Sequence, residues 1–565
     1  MRLDQERIDR ARRASEIYLG AKPPRGSDLS VCLVYPNTYP VGMANLGFQA
    51  VYGILARAGV AVERAFLPDR PPYRRVRSLE SERPLADFDI VAFSISFETD
   101  YVHVVDLLVA AGLPLWRNRR GPGTPIVVAG GPATFLNPEP IAEFVDLFLI
   151  GEGEEMVPEW IAAVRSARDH GRAEILGASA AIAGAYLPAA HGGFVLGGAE
   201  PLSGPRVERR YVARLDEAPT RSLFLTPEAV FGDMFLVEAS RGCEWGCRFC
   251  AAGFMYRPVR HRSAASLREE VLAEALPHRS TVGLVGAEMA SHPGIAALCQ
   301  EIARRGGRAS PSSLKADLVS APLASALGAG RTRSVTVAPE AGSERMRRVI
   351  NKNLSEEQIL RAATLLAGGG VSSLKLYAMI GLPTETDEDV LAIAALAAKV
   401  RERLPGGVGR ITLSINPFVP KPWTPFQWEP MAPLDVLRAR ARLLRRAVAR
   451  IPGAEVDLES PREAYWQTLL SRGDRRLAPL LVAVHENGGR FWPVIQRAVR
   501  EGGLDGCPSP DAYVHRRFDP GETLPWDFID HAVDKRYLLS EWRKATLERQ
   551  TPPCDVATCH TCGAC

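Results

Sequence analysis

Three cysteines crowd one short stretch, Cys243, Cys247 and Cys250, with the spacing C-x3-C-x2-C. Three thiolates on one loop can hold three corners of a cubane 4Fe–4S cluster. The fourth iron is then open to a cofactor or substrate. A structural zinc site takes four protein ligands, so zinc here would need a distant fourth. A second group, Cys554-x4-Cys559-x2-Cys562-x2-Cys565, falls within the last twelve residues and also implies a metal. Zinc sites more often pair cysteines across a longer loop, and two successive x2 gaps favour iron–sulfur ligation. Structural zinc and a redox thiol tail are the other readings, and His560 lies inside that loop. The three remaining cysteines, Cys32, Cys299 and Cys507, are isolated and read as small core hydrophobes.

The background to these residues is an ordinary globular composition, 46% hydrophobic and 24% charged. A 565-residue chain exceeds one core, so several structural units are expected. A net charge of +4 gives no broad basic footprint, so a nucleic-acid partner is not expected. Residues 1–22 are charged and lack the apolar core of a secretion signal, and no apolar run is long enough for a bilayer. A cytoplasmic location and no disulfide framework are the expectations.

The elements that must hold the cysteines read as α/β. Apolar runs at 31–35, 90–94, 126–129 and 147–150, with helices near 46–58 and 101–111, follow βαβ logic. They predict a Rossmann-like, doubly wound parallel sheet over residues 1–160. Ligands bind such sheets beyond the C-terminal strand ends, where Gly130-Gly131 and Gly151-Glu152-Gly153 fall. Residues 161–230 read as a linker. A second strand–helix series over 231–435 predicts a partial TIM-type (β/α) barrel, with strands at 235–238, 281–285, 334–337, 374–380 and 411–415. Residues 436–550 read as helical and 551–565 as the four-cysteine tail.

The C-x3-C-x2-C loop after the first barrel strand, with Phe249 before its last cysteine, resembles the signature of radical S-adenosylmethionine (SAM) enzymes. The resemblance implies that the open iron chelates SAM, and that one electron cleaves it to methionine and a 5′-deoxyadenosyl radical. Gly286-Ala287-Glu288 resembles the family's Gly-Gly-Glu motif for the methionine amino group, with a departure at Ala287. Glu340, Ser343 and Arg345 resemble the segment that holds the ribose and methionine carboxylate, and Gly381 the turn near adenine. The N-terminal region resembles the cobalamin-binding domains that precede such barrels. Ser94, Ser96, Gly130, Gly131 and Glu152 fall where that family has corrinoid-contacting loops. Its cobalt-ligating Asp-x-His-x-x-Gly is replaced by Asn37-Thr38-Tyr39-Pro40-Val41-Gly42, so Thr38, Tyr39 and Gly42 are expected near the lower corrin face without histidine ligation. The motifs around 252–260, 416–426 and 472–476, with the cysteine-rich tail, resemble a poorly characterised branch of these cobalamin-dependent enzymes.

The implied function is SAM cleavage with cobalamin-assisted modification of an unactivated carbon by methyl transfer. Radical rearrangement or ring formation, methylthiolation using the terminal cluster, and a noncatalytic iron–sulfur carrier are the alternatives. Expected partners are a small-molecule or peptide substrate and an external electron donor such as flavodoxin or ferredoxin. Arg257, Arg260 and Arg262, just after the cluster loop, are read as steering an anionic substrate, tuning the cluster or serving structure.

Overall fold

The computed structural model describes residues 2–564, apart from Arg25, Pro72, Arg74, 192–194, 197–205, Arg333, 405–408 and Ala557. Cys565, the last of the expected terminal ligands, lies outside the described residues. Six strands form the first sheet: β1 (Ser30–Tyr35), β2 (Ala61–Phe66), β3 (Ile90–Ser94), β4 (Ile126–Gly130), β5 (Leu147–Leu149) and β6 (Ala185–Tyr186). Their spatial order is β2-β1-β3-β4-β5-β6, parallel except for β6. All six residues of β1 are buried, as a central strand covered on both faces requires. Helices α1 (Leu46–Arg57) and α3 (Gly153–Ala167) share one apolar cluster, with Phe48, Tyr52, Met156 and Trp160 at its centre. Helix α2 (Tyr101–Ala110) packs into the cluster on the other face. The strand order reverses between β1 and β3, which opens a crevice at their C-terminal ends. β6 carries this sheet past residue 160, into the stretch that reads as linker.

Seven further parallel strands make the open barrel. β7 (Phe235–Glu238), β8 (Thr281–Val285) and β9 (Arg308–Pro311) form one sheet. β10 (Ser334–Glu340), β11 (Ser373–Ile380), β12 (Arg410–Pro417) and β13 (Ala454–Leu458) form the other. A parallel bridge between Leu314 and Val337 joins the two. β9 and β13 escape the sequence pattern because Arg308, Ser310, Glu455 and Asp457 break their apolar runs. Only the register against β8 and β12 makes them strands, and β13 extends the barrel sheet beyond residue 435. Helices α4 (Ile295–Arg304), α5 (Ala321–Ala329), α6 (Glu344–Val349), α7 (Glu356–Gly368), α8 (Asp387–Arg403) and α9 (Leu434–Val448) alternate with these strands. The starts of α7 and α8 are sealed by capping boxes, Ser355 with Gln358 and Thr386 with Asp389.

Helices α10 (Pro461–Arg472), α11 (Ala478–Glu486), α12 (Phe491–Arg500) and α13 (Lys535–Thr546) follow. This region returns to the first sheet. Asn137 donates to the Ser471 and Gly473 carbonyls at 3.1 and 2.7 Å, and Arg475 pairs with buried Glu139 at 2.8 Å. Lys421 reaches buried Glu98 at 2.7 Å. No helix among the described residues is long and apolar enough to cross a membrane. Cys32, Cys299 and Cys507 are buried in apolar surroundings.

His531 sits in the contact between these regions. Its Nε2 lies 2.9 Å from the Phe135 carbonyl, and its ring meets Trp423 edge-on. Burial, reinforced by the nearby Arg209 guanidinium, pushes its pKa down from 6.5 to about 3. The unfolded chain therefore takes up this proton below pH 6.5 while the native state resists it until about pH 3. Its contribution to stability is complete above pH 6.5 and is lost as the pH falls toward 3. Denaturant midpoints of the wild type are expected to drop through this interval more steeply than those of His531→Gln.

Candidate functional site

The cysteine loop leaves the C-terminal end of β7 and is held from several sides. Arg248, between Cys247 and Phe249, is fully buried and donates to Glu541 of α13 at 3.0 Å. The same guanidinium donates to the carbonyls of Arg348, Val349 and Arg549. Asn351 donates to the Gly246 carbonyl at 3.0 Å. Phe249 packs beside Met346, Phe418 and Phe426.

Cys243, Cys247 and Cys250 share one electrostatic neighbourhood. Burial, then the neighbouring Cys247 and Cys250, pushes the Cys243 thiol far up. Burial lifts Cys247 to about 11, against the pull of Lys352, and raises Cys250 as well. Such thiols ionise only beside compensating positive charge, which a bound metal centre supplies. One buried and two half-buried thiols with ammonium groups close by are a donor set whose chemistry suits an iron–sulfur cluster. Two lysines that the sequence pattern does not mark stand here. Lys352 is 3.4 Å from Glu340 and acts on both Cys247 and Cys250. Lys315 pairs with Asp317 at 2.7 Å and lies 3.6 Å from the Trp245 ring centroid. The available signal was Asn351-Lys352-Asn353, where both asparagines adopt left-handed backbone, φ 54° and 50°.

The remaining barrel residues divide. Glu288 is buried and accepts backbone N–H groups from Ala290 and Ser291, both at 2.7 Å, and Lys315 at 3.1 Å. It therefore ties the ends of β8 and β9 together. The carbonyls of Gly286 and Ala287 accept from the Ser312 and Ser313 hydroxyls. Glu340 ends β10 with φ 66°, facing Lys352. Ser343 and Arg345 both bond Asp389 on α8, and Arg345 also pairs with Glu548. Gly381 donates to Glu385 at 2.6 Å and lies beneath Leu437 of α9.

A cavity of about 540 Å³ lies between the two sheets. The first sheet contributes Asn45, Gly47, Ser94, Ser96, Gly130, Gly131 and Glu152 at the crevice where its strand order reverses. The barrel contributes Gly242, beside Cys243, with Ala252, Tyr256, Gly286 and Ala287. One space thus runs from the first sheet's strand ends to the cysteine loop. Among the described residues that line it, none is a histidine.

Thr38, Tyr39 and Gly42 do not line it. The Tyr39 ring is buried beside Phe66, and its hydroxyl lies 2.8 Å from Glu16, so core packing holds it away from the expected corrin face. The positions lining the cavity come a few residues later, from Ala44, Asn45, Leu46 and Gly47. Two of the cavity glycines are also required by packing. A Cβ on Gly131, at φ 106°, would stand 2.6 Å from the Ile95 carbonyl, and one on Gly151 would stand 2.4 Å from Arg210. Backbone-to-backbone approach already requires glycine there.

An ion cluster joins the two walls. Glu152 meets Arg260 at 2.8 Å and Arg241 at 2.8 Å, and accepts the Val212 N–H at 2.8 Å. Arg241 also holds Glu238 and Glu154. Burial opposes the Glu152 charge, but these cations hold its pKa below the usual range. Arg260 and Arg262 are thereby committed to structure, the latter to Glu270 and Ser266. Arg257 instead donates to the Gly253 carbonyl at 2.7 Å, and its guanidinium lies 5.6 Å from the Tyr537 ring centroid.

Residues 47–188 match the family model "Radical SAM proteins, N-terminal", and residues 237–397 match that of the radical SAM superfamily. The chain belongs to the radical SAM superfamily. An uncharacterised protein of Methanocaldococcus jannaschii is 29% identical over 459 residues, 80% of this chain and 90% of its own length. Among solved structures, the radical SAM methyltransferase TsrM from Kitasatospora setae, with cobalamin and a [4Fe–4S] cluster bound, is 17% identical with a TM-score of 0.49. That alignment covers 72% of this chain and 79% of TsrM. The cobalamin-dependent SAM radical enzyme OxsB, with aqua-cobalamin and SAM bound, is 12% identical with a TM-score of 0.48. It covers 92% of this chain and 79% of OxsB.

In this radical SAM protein the Glu152 cluster should be stability-critical. Glu152→Ala strands the buried Arg260 and Arg209 guanidinium groups, at a cost of about 3–5 kcal/mol. The expected result is a lower urea midpoint, whereas an exposed control such as Glu217→Ala should be nearly silent.

Proposed function

We propose that this protein is a cobalamin-dependent radical SAM enzyme that methylates an unactivated carbon of a small-molecule or peptide substrate. The observation that carries the reading is the single cavity running from the switch-point crevice of the first sheet to the loop of Cys243, Cys247 and Cys250. When bound, the cluster would supply one electron for cleavage of SAM, and cobalamin would supply the transferred methyl group.

The chain's own share is binding, orientation and exclusion of water. Cys243, Cys247 and Cys250 would hold the cluster, with Phe249 packing its loop. Gly286, Ala287, Glu288 and Glu340 would hold SAM at the barrel's strand ends, with Ser343, Arg345 and Gly381 shaping the surrounding turns. Lys352 joins this set in our reading, because its buried ammonium between Glu340 and the thiols suits a carboxylate. Asn45, Ser94, Ser96, Gly130 and Gly131 would form the cobalamin side. The four terminal cysteines would bind a second metal centre.

Anaerobic, reconstituted protein given dithionite and SAM should release 5′-deoxyadenosine. Cys247→Ala should abolish it. Lys352→Met should raise the KM for SAM by about tenfold or more, the worth of one charged hydrogen bond. Reconstitution with cobalamin should add corrin absorbance, and turnover with substrate should yield S-adenosylhomocysteine. Deoxyadenosine without any corrin uptake would remove cobalamin and methyl transfer from the reading. No deoxyadenosine from cluster-replete protein would favour a carrier.

A further inference from the structure

Lys315 follows Leu314, whose bridge to Val337 joins the two barrel sheets. It is only 4% exposed, a rare place for an ammonium. Several parts of the barrel meet at it. Its backbone N–H donates to Glu288 at 3.1 Å, which ties it to the end of β8. Its Nζ lies 2.7 Å from both Asp317 carboxylate oxygens and donates to the Asn353 carbonyl at 3.2 Å. The same Nζ stands 3.6 Å from the centroid of the Trp245 ring, within the stretch between Cys243 and Cys247. The Leu318 N–H donates to the Lys315 carbonyl at 3.1 Å, and this turn brings Asp317 back to the ammonium.

These contacts leave Lys315 no ligand to bind. An ammonium has three donors, and the two Asp317 oxygens and the Asn353 carbonyl take them. Lys352 differs, since its recorded partner is the Glu340 carboxylate alone. What Lys315 still offers the cysteine loop is its field. Burial lowers its pKa and Asp317 opposes that fall, so the carboxylate keeps the charge in place. The charge rests on the indole face, where the ring quadrupole attracts it. The Trp245 Nε1–H is buried with no hydrogen-bond partner among the described residues. Packing and the ammonium therefore position the ring. Beyond the ring, the Lys315 charge acts on Cys247. A fixed cation beside an iron–sulfur centre favours the state with one more electron, and burial limits its screening by salt.

We propose that Lys315 is a positioning residue for redox: seated on Trp245, its ammonium raises the reduction potential of a cluster held by Cys243, Cys247 and Cys250, and Asp317 limits how far. The proposal rests on the reading of that loop as the radical SAM site. The step it controls is uptake of one electron from a low-potential external donor, which is oxidised by one electron. No covalent bond is made or broken in that step.

The test compares reconstituted, full-length wild type, Lys315→Met, Lys315→Arg and Asp317→Asn by EPR-monitored redox titration. The signal to follow is the one that changes when SAM is added, which separates this cluster from any other iron–sulfur centre. At a fixed poise, Lys315→Met should lower the ratio of reduced to oxidised cluster about tenfold, a fall of about 59 mV for a one-electron couple. Lys315→Arg keeps the charge and should stay near the wild-type midpoint. Asp317→Asn should move the midpoint upward. Shifts of opposite sign from the two halves of one ion pair cannot come from a shared loss of folding. An unchanged or raised midpoint in Lys315→Met would overturn the proposal. So would shifts of the same sign in Lys315→Met and Asp317→Asn, or equal falls in Lys315→Met and Lys315→Arg, which would assign the effect to packing. Failure of the radical SAM reading is separately visible, as a wild type with no SAM-responsive signal, and it would remove the proposal with it.

Discussion

The arrangement of this molecule depends on one carboxylate. Glu152 ends the loop after β5, yet its buried oxygens are held by Arg241 and Arg260 from the barrel. Removing a carboxylate and two guanidinium groups from water is costly, and mutual contact in that pocket offsets the cost only if both walls stay in register. The cluster thus acts as a spacer as well as a clamp. It keeps the strand ends of the first sheet facing β7 and β8 across a gap, and that gap is the 540 Å³ cavity.

The cysteine loop uses a second version of the same device. Arg248 is fully buried inside the C-x3-C-x2-C sequence, and its donors are distributed over Glu541, Arg348, Val349 and Arg549. A loop that must present three thiolates toward one point gains precision from a rigid supporting shell. Here that shell is built from α6, α13 and the segment leading to the tail. The same shell brings Cys554 beside the loop, where its N–H donates to the Glu244 carbonyl at 2.8 Å.

Much of this was legible in the chain. Alternating apolar runs and helical stretches marked β1, β3, β4, β7 and β8 because buried parallel strands leave an uninterrupted apolar signature. Strands β9 and β13 were hidden because each has polar residues on one face and gains strand character from its neighbour's register. The Asn37–Gly42 frame pointed to Tyr39 for a ligand face, whereas the neighbouring Phe66 and Glu16 draw that side chain into the core. Lys352 was invisible because a lysine at a helix end is ordinarily a solvated charge. Only packing against Glu340 and the thiols buries it.

The amino-acid sequence by itself determined the donor chemistry. Seven cysteines in two spacings, with no histidine in the Asn37–Gly42 frame, specify which atoms are available wherever the chain goes. Residue type and local spacing carry that information because ligands on one short loop cannot move far apart. The tertiary structure decided what each group faces. Glu152, Arg260 and Arg262 became structure and Asn45 became cavity wall, while the tail settled behind the cluster loop. Those outcomes depend on contacts between residues hundreds of positions apart, such as Arg248 with Glu541, which no local pattern encodes.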